Sequence, residues 1–179
     1  MLILAGVIPF AERFAVLLAM AAIVLVLERV CGRSWHELGF RKDTLRDSLV
    51  ANIGLSLVLS AGIVTAFAFG AFSGSTIHGF TLFYPFYVFI SSPSQEFLFR
   101  SVIFAEMERA GLRGPATQVI FSTAVYTFPH AIYKDPSTLL VVAAIGLIWG
   151  FIYHRYPNWY GVALSHAVLG ALSIAVGLV

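Results

Sequence analysis

Six apolar runs, each close to the length that crosses a lipid hydrocarbon layer, constrain this chain more than anything else in its sequence. A helix needs about 20 residues to span ~30 Å of hydrocarbon. The runs cover about Phe10 to Leu27, Leu49 to Phe72, Gly79 to Met107, Gly114 to Phe128, Pro136 to Tyr153 and Trp159 to Val179. The third is interrupted by Ser91-Ser92-Pro93-Ser94. With backbone polar groups unable to reach water at depth, such runs must be helical. The fold class expected is all-α: a polytopic transmembrane helix bundle of about six spans, with one helix broken near Pro93. Composition agrees, since 59% of residues are hydrophobic and only 11% charged, too few charges to wet a soluble surface. The N-terminus has no basic residue before its first apolar run and no small-x-small cleavage site, so it reads as a span, not a signal peptide.

A net charge of +2 is too small to argue for nucleic acid, and the single cysteine, Cys31, excludes an internal disulfide and a cysteine metal cage. Neither repeats nor a long linker divide the 179 residues, so one integral-membrane domain is expected. Basic residues cluster in the odd-numbered connections: Arg29, Arg33, Arg41, Lys42 and Arg46 in the first, Arg109 and Arg113 in the third, Arg155 in the fifth. The other side offers Arg13 and Lys134. The positive-inside rule then makes those connections cytoplasmic and turns both termini outward.

Ionisable groups inside spans are costly and face the bundle interior or a water-filled cavity. Glu96 and Arg100 lie four residues apart, on one helix face, where they can pair. Ser92, Pro93 and Gln95 have the pattern of an N-cap, a first helical residue and a capping-box partner, which predicts a helix start within the membrane. On the fourth span Gln118, Ser122, Tyr126 and His130 form a polar file; on the sixth His166 lies in a small, polar file with Ala163, Gly170, Ser173 and Gly177. A lone histidine in an apolar span is more often hydrogen-bonding glue than a catalyst. Two histidines and a carboxylate on three spans shift that balance, because such a triplet can activate water or hold a divalent metal. Both readings predict hydrolysis.

Other features have simpler readings. Gly146 and Gly150 form a GxxxG packing face, and Asn52, Ser56 and Ser60 a file for interhelical hydrogen bonds. Trp35, Tyr84, Tyr133, Tyr153 and Trp159 read as interfacial anchors, while His36, His78 and His154 fall in or beside connections and carry no signal.

Gln95-Glu96-Phe97-Leu98-Phe99-Arg100, then Tyr126-Thr127-Phe128-Pro129-His130, then His166 together resemble the CPBP family, the CAAX proteases and bacteriocin-processing enzymes also called the Abi family. Its pattern is E-E-x-x-x-R, F-x-x-x-H and H-x-x-x-N/D on successive spans. The stretch Trp35 to Arg46 also resembles the loop preceding that family's core, so the likeness runs from about residue 35 to 179. The resemblance implies an intramembrane endopeptidase of the glutamic type, without metal or other cofactor. Position by position, Glu96 corresponds to the second glutamate, Arg100 to the arginine, His130 and His166 to the two histidines.

Three positions depart from the pattern. Gln95 stands for the first glutamate, Tyr126 for the phenylalanine, and Gly170 for the asparagine or aspartate; Asn52 and Asn158, the chain's two asparagines, do not obviously replace the last. Three explanations are open. Glu96 is the base, with Gln95 positioning; or Gln95 is an inactivating change; or the chain binds without cutting, as an immunity or partner protein. Retention of Glu96, Arg100 and both histidines favours the first. In that reading Glu96 with His130 activates water, His166 steadies the oxyanion or leaving group, and Arg100 holds Glu96. A zinc enzyme using the same residues is the competing hydrolase, although H-E-x-x-H spacing is missing. The expected substrate is a membrane-anchored or membrane-proximal protein segment in the bilayer. The expected setting is a bacterial cytoplasmic membrane. There prenylated substrates are not expected, and the C-terminal anchor of exported proteins is the analogous class.

Overall fold

The computed structural model describes residues 3–74 and 82–178. Gly79, His78 and Val179 therefore lie outside the described residues. Six helical units carry the chain: α1 (Arg13–Val30, entered through a 3-10 turn at Phe10–Glu12), α2 (Leu45–Ala68), α3 (a continuous helical run from Phe83 to Arg109), α4 (Pro115–Thr127, continued by a 3-10 turn at Phe128–Tyr133), α5 (Pro136–Arg155) and α6 (Trp159–Val176). Among the described residues there is no β-strand. Four stretches are long and apolar enough to cross a membrane: Phe10–Val30, Leu45–Ala68, Pro136–Arg155 and Trp159–Val176. Of the other two units, α3 carries the ionisable residues and α4 has only 13 residues.

The bundle is a membrane protein by its inside-out chemistry. Val50, Ile53, Leu57, Val58 and Val64 of α2 and Leu140, Leu147, Ile148 and Phe151 of α5 are exposed. The buried faces instead hold Ser48, Asn52 and Ser56, Glu96 and Arg100, Gln118 and Ser122, Ser165 and His166. A water-soluble fold reverses this arrangement; in hydrocarbon, apolar faces meet lipid and polar groups must find partners inside. α2 packs along α6, α4 along α5, and the middle of α3 against α6.

The interruption at Pro93 takes a different form from the one its sequence predicts. A short α segment, Ser92–Glu96, is flanked by π turns at Tyr87–Ser91 and Phe97–Val102. Proline removes one backbone donor and crowds the preceding turn, and a π turn accommodates that without ending the helix. Ser92 is accordingly not an N-cap: its backbone is helical (φ −64°, ψ −41°), and its hydroxyl donates to the Tyr87 carbonyl at 2.8 Å. Gln95 completes no capping box either, its amide donating to the Ser91 hydroxyl at 3.2 Å.

The first connection is tied down, not draped over the surface. Ser34 and Glu37 make the reciprocal bonds of a capping box: Ser34 N and Oγ each donate to Glu37 Oε2 at 2.8 Å, and Glu37 N donates back to Ser34 Oγ at 3.2 Å. Arg33 reaches Glu37 Oε1 at 3.1 Å, Glu106 Oε1 at 2.9 Å through Nε, and the Ala105 carbonyl at 3.0 Å. Leu38 is fully buried. Residues of the first connection, the α3 and α5 C-terminal ends and the α4 N-terminal end share a cavity of about 400 Å³, with Arg33, Arg41, Arg109, Arg113, Tyr153 and His154 among its lining. The odd-numbered connections thus gather at one end of the bundle.

Candidate active site

Helix α3 brings Glu96 and Arg100 to the centre of the bundle, where both side chains are wholly buried. Arg100 Nε lies 3.7 Å from Glu96 Oε2. Its other guanidinium nitrogens are spent on oxygens: Nη1 donates to Ser122 Oγ at 3.1 Å and to the Phe99 carbonyl at 3.3 Å, and Nη2 to the Gly146 carbonyl at 3.3 Å. Its plane lies over the Tyr126 ring, 4.6 Å from the centroid. The predicted polar file of α4 is therefore real and faces inward, with Gln118, Ser122 and Tyr126 all buried. The GxxxG of α5 packs against that helix. A Cβ on Gly146 would stand 3.1 Å from both Thr123 and Tyr126, and one on Gly150 3.3 Å from Val119. Only close backbone approach lets the Gly146 carbonyl reach the arginine.

From α6, His166 presents Nδ1 to Glu96 Oε1 at 2.6 Å. A carboxylate oxygen accepts, so Nδ1 is the donor in this contact. The ring is held on three sides by aromatics: Trp149 stacks on it at 4.8 Å, Tyr126 meets it edge-on at 5.8 Å, and Tyr87 at 6.1 Å. Trp149 is fixed in turn, its indole N–H donating to Ser165 Oγ at 2.9 Å, while Ser56 Oγ donates to the same oxygen at 2.9 Å. The second member of the α2 file thus makes its interhelical bond. Asn52 instead donates back to the Ser48 carbonyl of its own helix at 2.9 Å.

His130 stands at the end of α4, half-buried, with Nδ1 2.9 Å from the Tyr126 carbonyl. A carbonyl can only accept, so Nδ1 carries the proton here too and Nε2 is free to take one. Its ring lies 5.0 Å from that of Tyr126, which makes Tyr126 the common neighbour of both histidines. Hence Glu96, Arg100, His166 and His130 converge around one tyrosine, but the direct partner of Glu96 is His166. Gln95 is partly buried on a neighbouring face and bonds Ser91. Glu96 Oε2 and Arg100 Nε have no hydrogen-bond partner among the described residues. No group of three His, Cys, Asp or Glu side chains among the described residues is arranged to hold a metal ion.

Several residues have places their sequence context did not signal. Tyr153 is buried, donating to Ser101 Oγ at 3.3 Å, and is no interfacial anchor. Its position at a helix end misleads because the Leu38 loop covers that end. His154 contacts the Gln118 amide oxygen at 2.8 Å, and Asn158 caps α6 through Tyr160 N at 3.1 Å while holding the Arg41 carbonyl at 2.7 Å. Nothing local in the sequence marks Tyr87 as facing inward, and Trp149 is marked only by its place in mid-span, where its N–H must find a buried partner.

The protein-family model for Rce1-like proteins, described as type II CAAX prenyl endopeptidase Rce1-like, matches residues 77–172. That is more than half of the chain, and it contains Gln95, Glu96, Arg100, His130 and His166. The chain belongs to the Rce1-like family. Membership points to CAAX intramembrane protease activity, a peptide hydrolase, and includes the protein in the CPBP group that its motifs resemble. Neither a curated protein nor a solved structure matches it.

Proposed function

We propose that this protein is a glutamic-type intramembrane endopeptidase, one integral-membrane domain that hydrolyses a peptide bond in a membrane-anchored or membrane-proximal protein segment. The observation that carries the reading is the 2.6 Å bond between His166 and a wholly buried Glu96. A buried carboxylate is expensive unless it is paired and hydrogen-bonded, and here two costly groups from separate helices meet it. His166 fixes Oε1, and Arg100 offsets the charge from 3.7 Å. Oε2, bonded to no described residue, is the oxygen that takes a proton from water. His130, half-buried and with its Nε2 turned from the Tyr126 carbonyl that Nδ1 holds, is the second proton acceptor. This shifts work from the pairing that the motifs alone suggest: His166, not His130, orients the base.

A low-polarity surround of Trp149, Tyr87 and Tyr126 makes each of these electrostatic contacts stronger than it would be in water. The family's description names prenylated CAAX tails as one substrate class; the C-terminal anchor of an exported protein is the other to test. The basic first connection supports cytoplasmic odd-numbered loops, and the membrane proposed is the bacterial inner one.

The test is cleavage of both peptide classes by purified protein in lipid, with and without a chelator, beside Glu96→Gln. Chelator-resistant cutting that Glu96→Gln abolishes supports the glutamic mechanism. Chelator-sensitive cutting would transfer the same residues to a metal enzyme, and cutting that survives Glu96→Gln would remove Glu96 from the chemistry.

A further inference from the structure

We infer that the Tyr87 hydroxyl is the oxyanion donor of this site, an inference that rests on the protease reading above. Three observations meet at this side chain. Gly170 lies four residues after His166 on α6, on the face that His166 shares. A Cβ built on Gly170 would stand 2.1 Å from the Tyr87 hydroxyl oxygen and 2.9 Å from its ring carbons, so the phenol occupies the space that any side chain at 170 would need. Lastly, the hydroxyl donates to no described residue, while its ring edge meets His166 at 6.1 Å.

The backbone explains how the phenol gets there. Tyr87 opens the π turn ahead of Pro93, and Ser92 Oγ pins its carbonyl at 2.8 Å. Phe83 stacks on its ring at 6.0 Å. A π turn offsets side chains from regular helical register, and here it directs Tyr87 across to α6. Tyr126, the other phenol beside His166, is less suited. Its ring is covered by Arg100 at 4.6 Å and packed against Phe99, which fixes it as a platform.

The step balances as follows. Water oxygen bonds to the substrate carbonyl carbon as one of its protons passes to Glu96 Oε2. The carbonyl π pair moves onto oxygen, which Tyr87 O–H holds by a hydrogen bond while keeping its proton. When that pair returns, the C–N bond breaks and Glu96 gives its proton to the departing amine. Preorganised donors of this kind act on charge that develops only in the transition state.

Glu96-dependent cleavage in lipid is compared for the starting chain, Tyr87→Phe, Tyr126→Phe, Tyr87→Ala and the double variant Tyr87→Ala with Gly170→Asn. Tyr87→Phe is expected to lower kcat by about 100-fold with KM within a few-fold, the loss typical of one oxyanion donor. The double variant, whose amide enters the vacated space, is expected to recover at least ten-fold over Tyr87→Ala. Tyr87→Phe cutting at the starting rate while Glu96→Gln stays inactive overturns the assignment and leaves the protease reading standing. So does a loss confined to Tyr126→Phe. If Glu96→Gln is as active as the starting chain, the glutamic mechanism fails, and if nothing is cut, the protease reading fails; either outcome takes this inference with it.

Discussion

Glu96 Oε1 and His166 Nδ1, 70 residues apart in the chain, stand 2.6 Å from one another in the closed centre of the bundle. The bond joins α3 to α6 and leaves a single oxygen of the carboxylate for chemistry. His166→Ala should therefore reduce cleavage by at least 100-fold and also lower thermal stability. An unsatisfied buried acceptor costs about 1–3 kcal/mol, more when it is charged. His166→Gln, which can still donate to Oε1, should regain much of the stability and little of the activity. Thermal unfolding in detergent alongside a cleavage assay separates the two.

Arg100 offers a sharper stability experiment, because its charge is buried and answers one carboxylate. Arg100→Ala should cost about 3–5 kcal/mol, the usual range for leaving a buried charge unpaired. Much of that loss should return in Arg100→Ala with Glu96→Gln, since neutralising the carboxylate removes the orphaned charge. A double variant no more stable than Arg100→Ala would show that Arg100 matters through Tyr126, Ser122 and Gly146 instead.

His130 is half-buried, and its hydrogen bond among the described residues is to a backbone carbonyl of its own helix. Its removal should thus spare the fold. His130→Ala is expected to change the unfolding free energy by no more than about 1 kcal/mol, yet to lose cleavage by at least 100-fold. His154→Ala, whose ring contacts Gln118 far from Glu96, is the comparison that should retain activity.

Helical periodicity made much of this visible beforehand. The apolar runs marked the six helical units, and the files through Ser122 and Tyr126 and through His166 named inward faces, because one stripe of each helix must avoid lipid. The Glu96–Arg100 proximity followed from four-residue spacing alone. What stayed hidden depended on contacts between distant segments. Which histidine reaches Glu96 is set by how α6 packs on α3, and nothing local to His130 or His166 encodes it. Tyr87 sits in the aromatic run Phe83-Tyr84-Pro85-Phe86-Tyr87, which has the composition of a lipid-facing segment. Only a π turn, invisible to a regular 3.6-residue period, turns it inward. Ser92 departs from the helix-start role its sequence predicts for a related reason: a serine before proline starts a helix unless the preceding turn is already helical, as Tyr87–Ser91 is.

The clamp on the first connection gives a pH prediction of definite sign. Backbone and hydroxyl hydrogen bonds from Ser34, with help from Arg33, lower Glu37 from its ordinary 4.5 to about 2. A carboxylate depressed on folding contributes stability above its unfolded value and loses it as pH falls through the folded one. Protease protection of the Ser34–Asp43 loop should hold from pH 7 to pH 5 and decline between about 4.5 and 2. Ser34→Ala should move the decline upward, and an unchanged profile in that variant would count against the capping box as its cause.

Gln95 provides the last discriminating substitution, because it stands where the family pattern has a glutamate. Its amide donates to the Ser91 hydroxyl at 3.2 Å, whereas Glu96 holds the contact with His166. If Glu96 is the base, Gln95→Glu should alter kcat by less than about ten-fold, or ~1.4 kcal/mol of barrier. The change replaces a donor to Ser91 with an acceptor, which the serine can satisfy by rotating its own proton. A large gain from an inactive starting chain would mean the reverse: position 95 holds the base, glutamine has disabled it, and Glu96 serves to anchor His166.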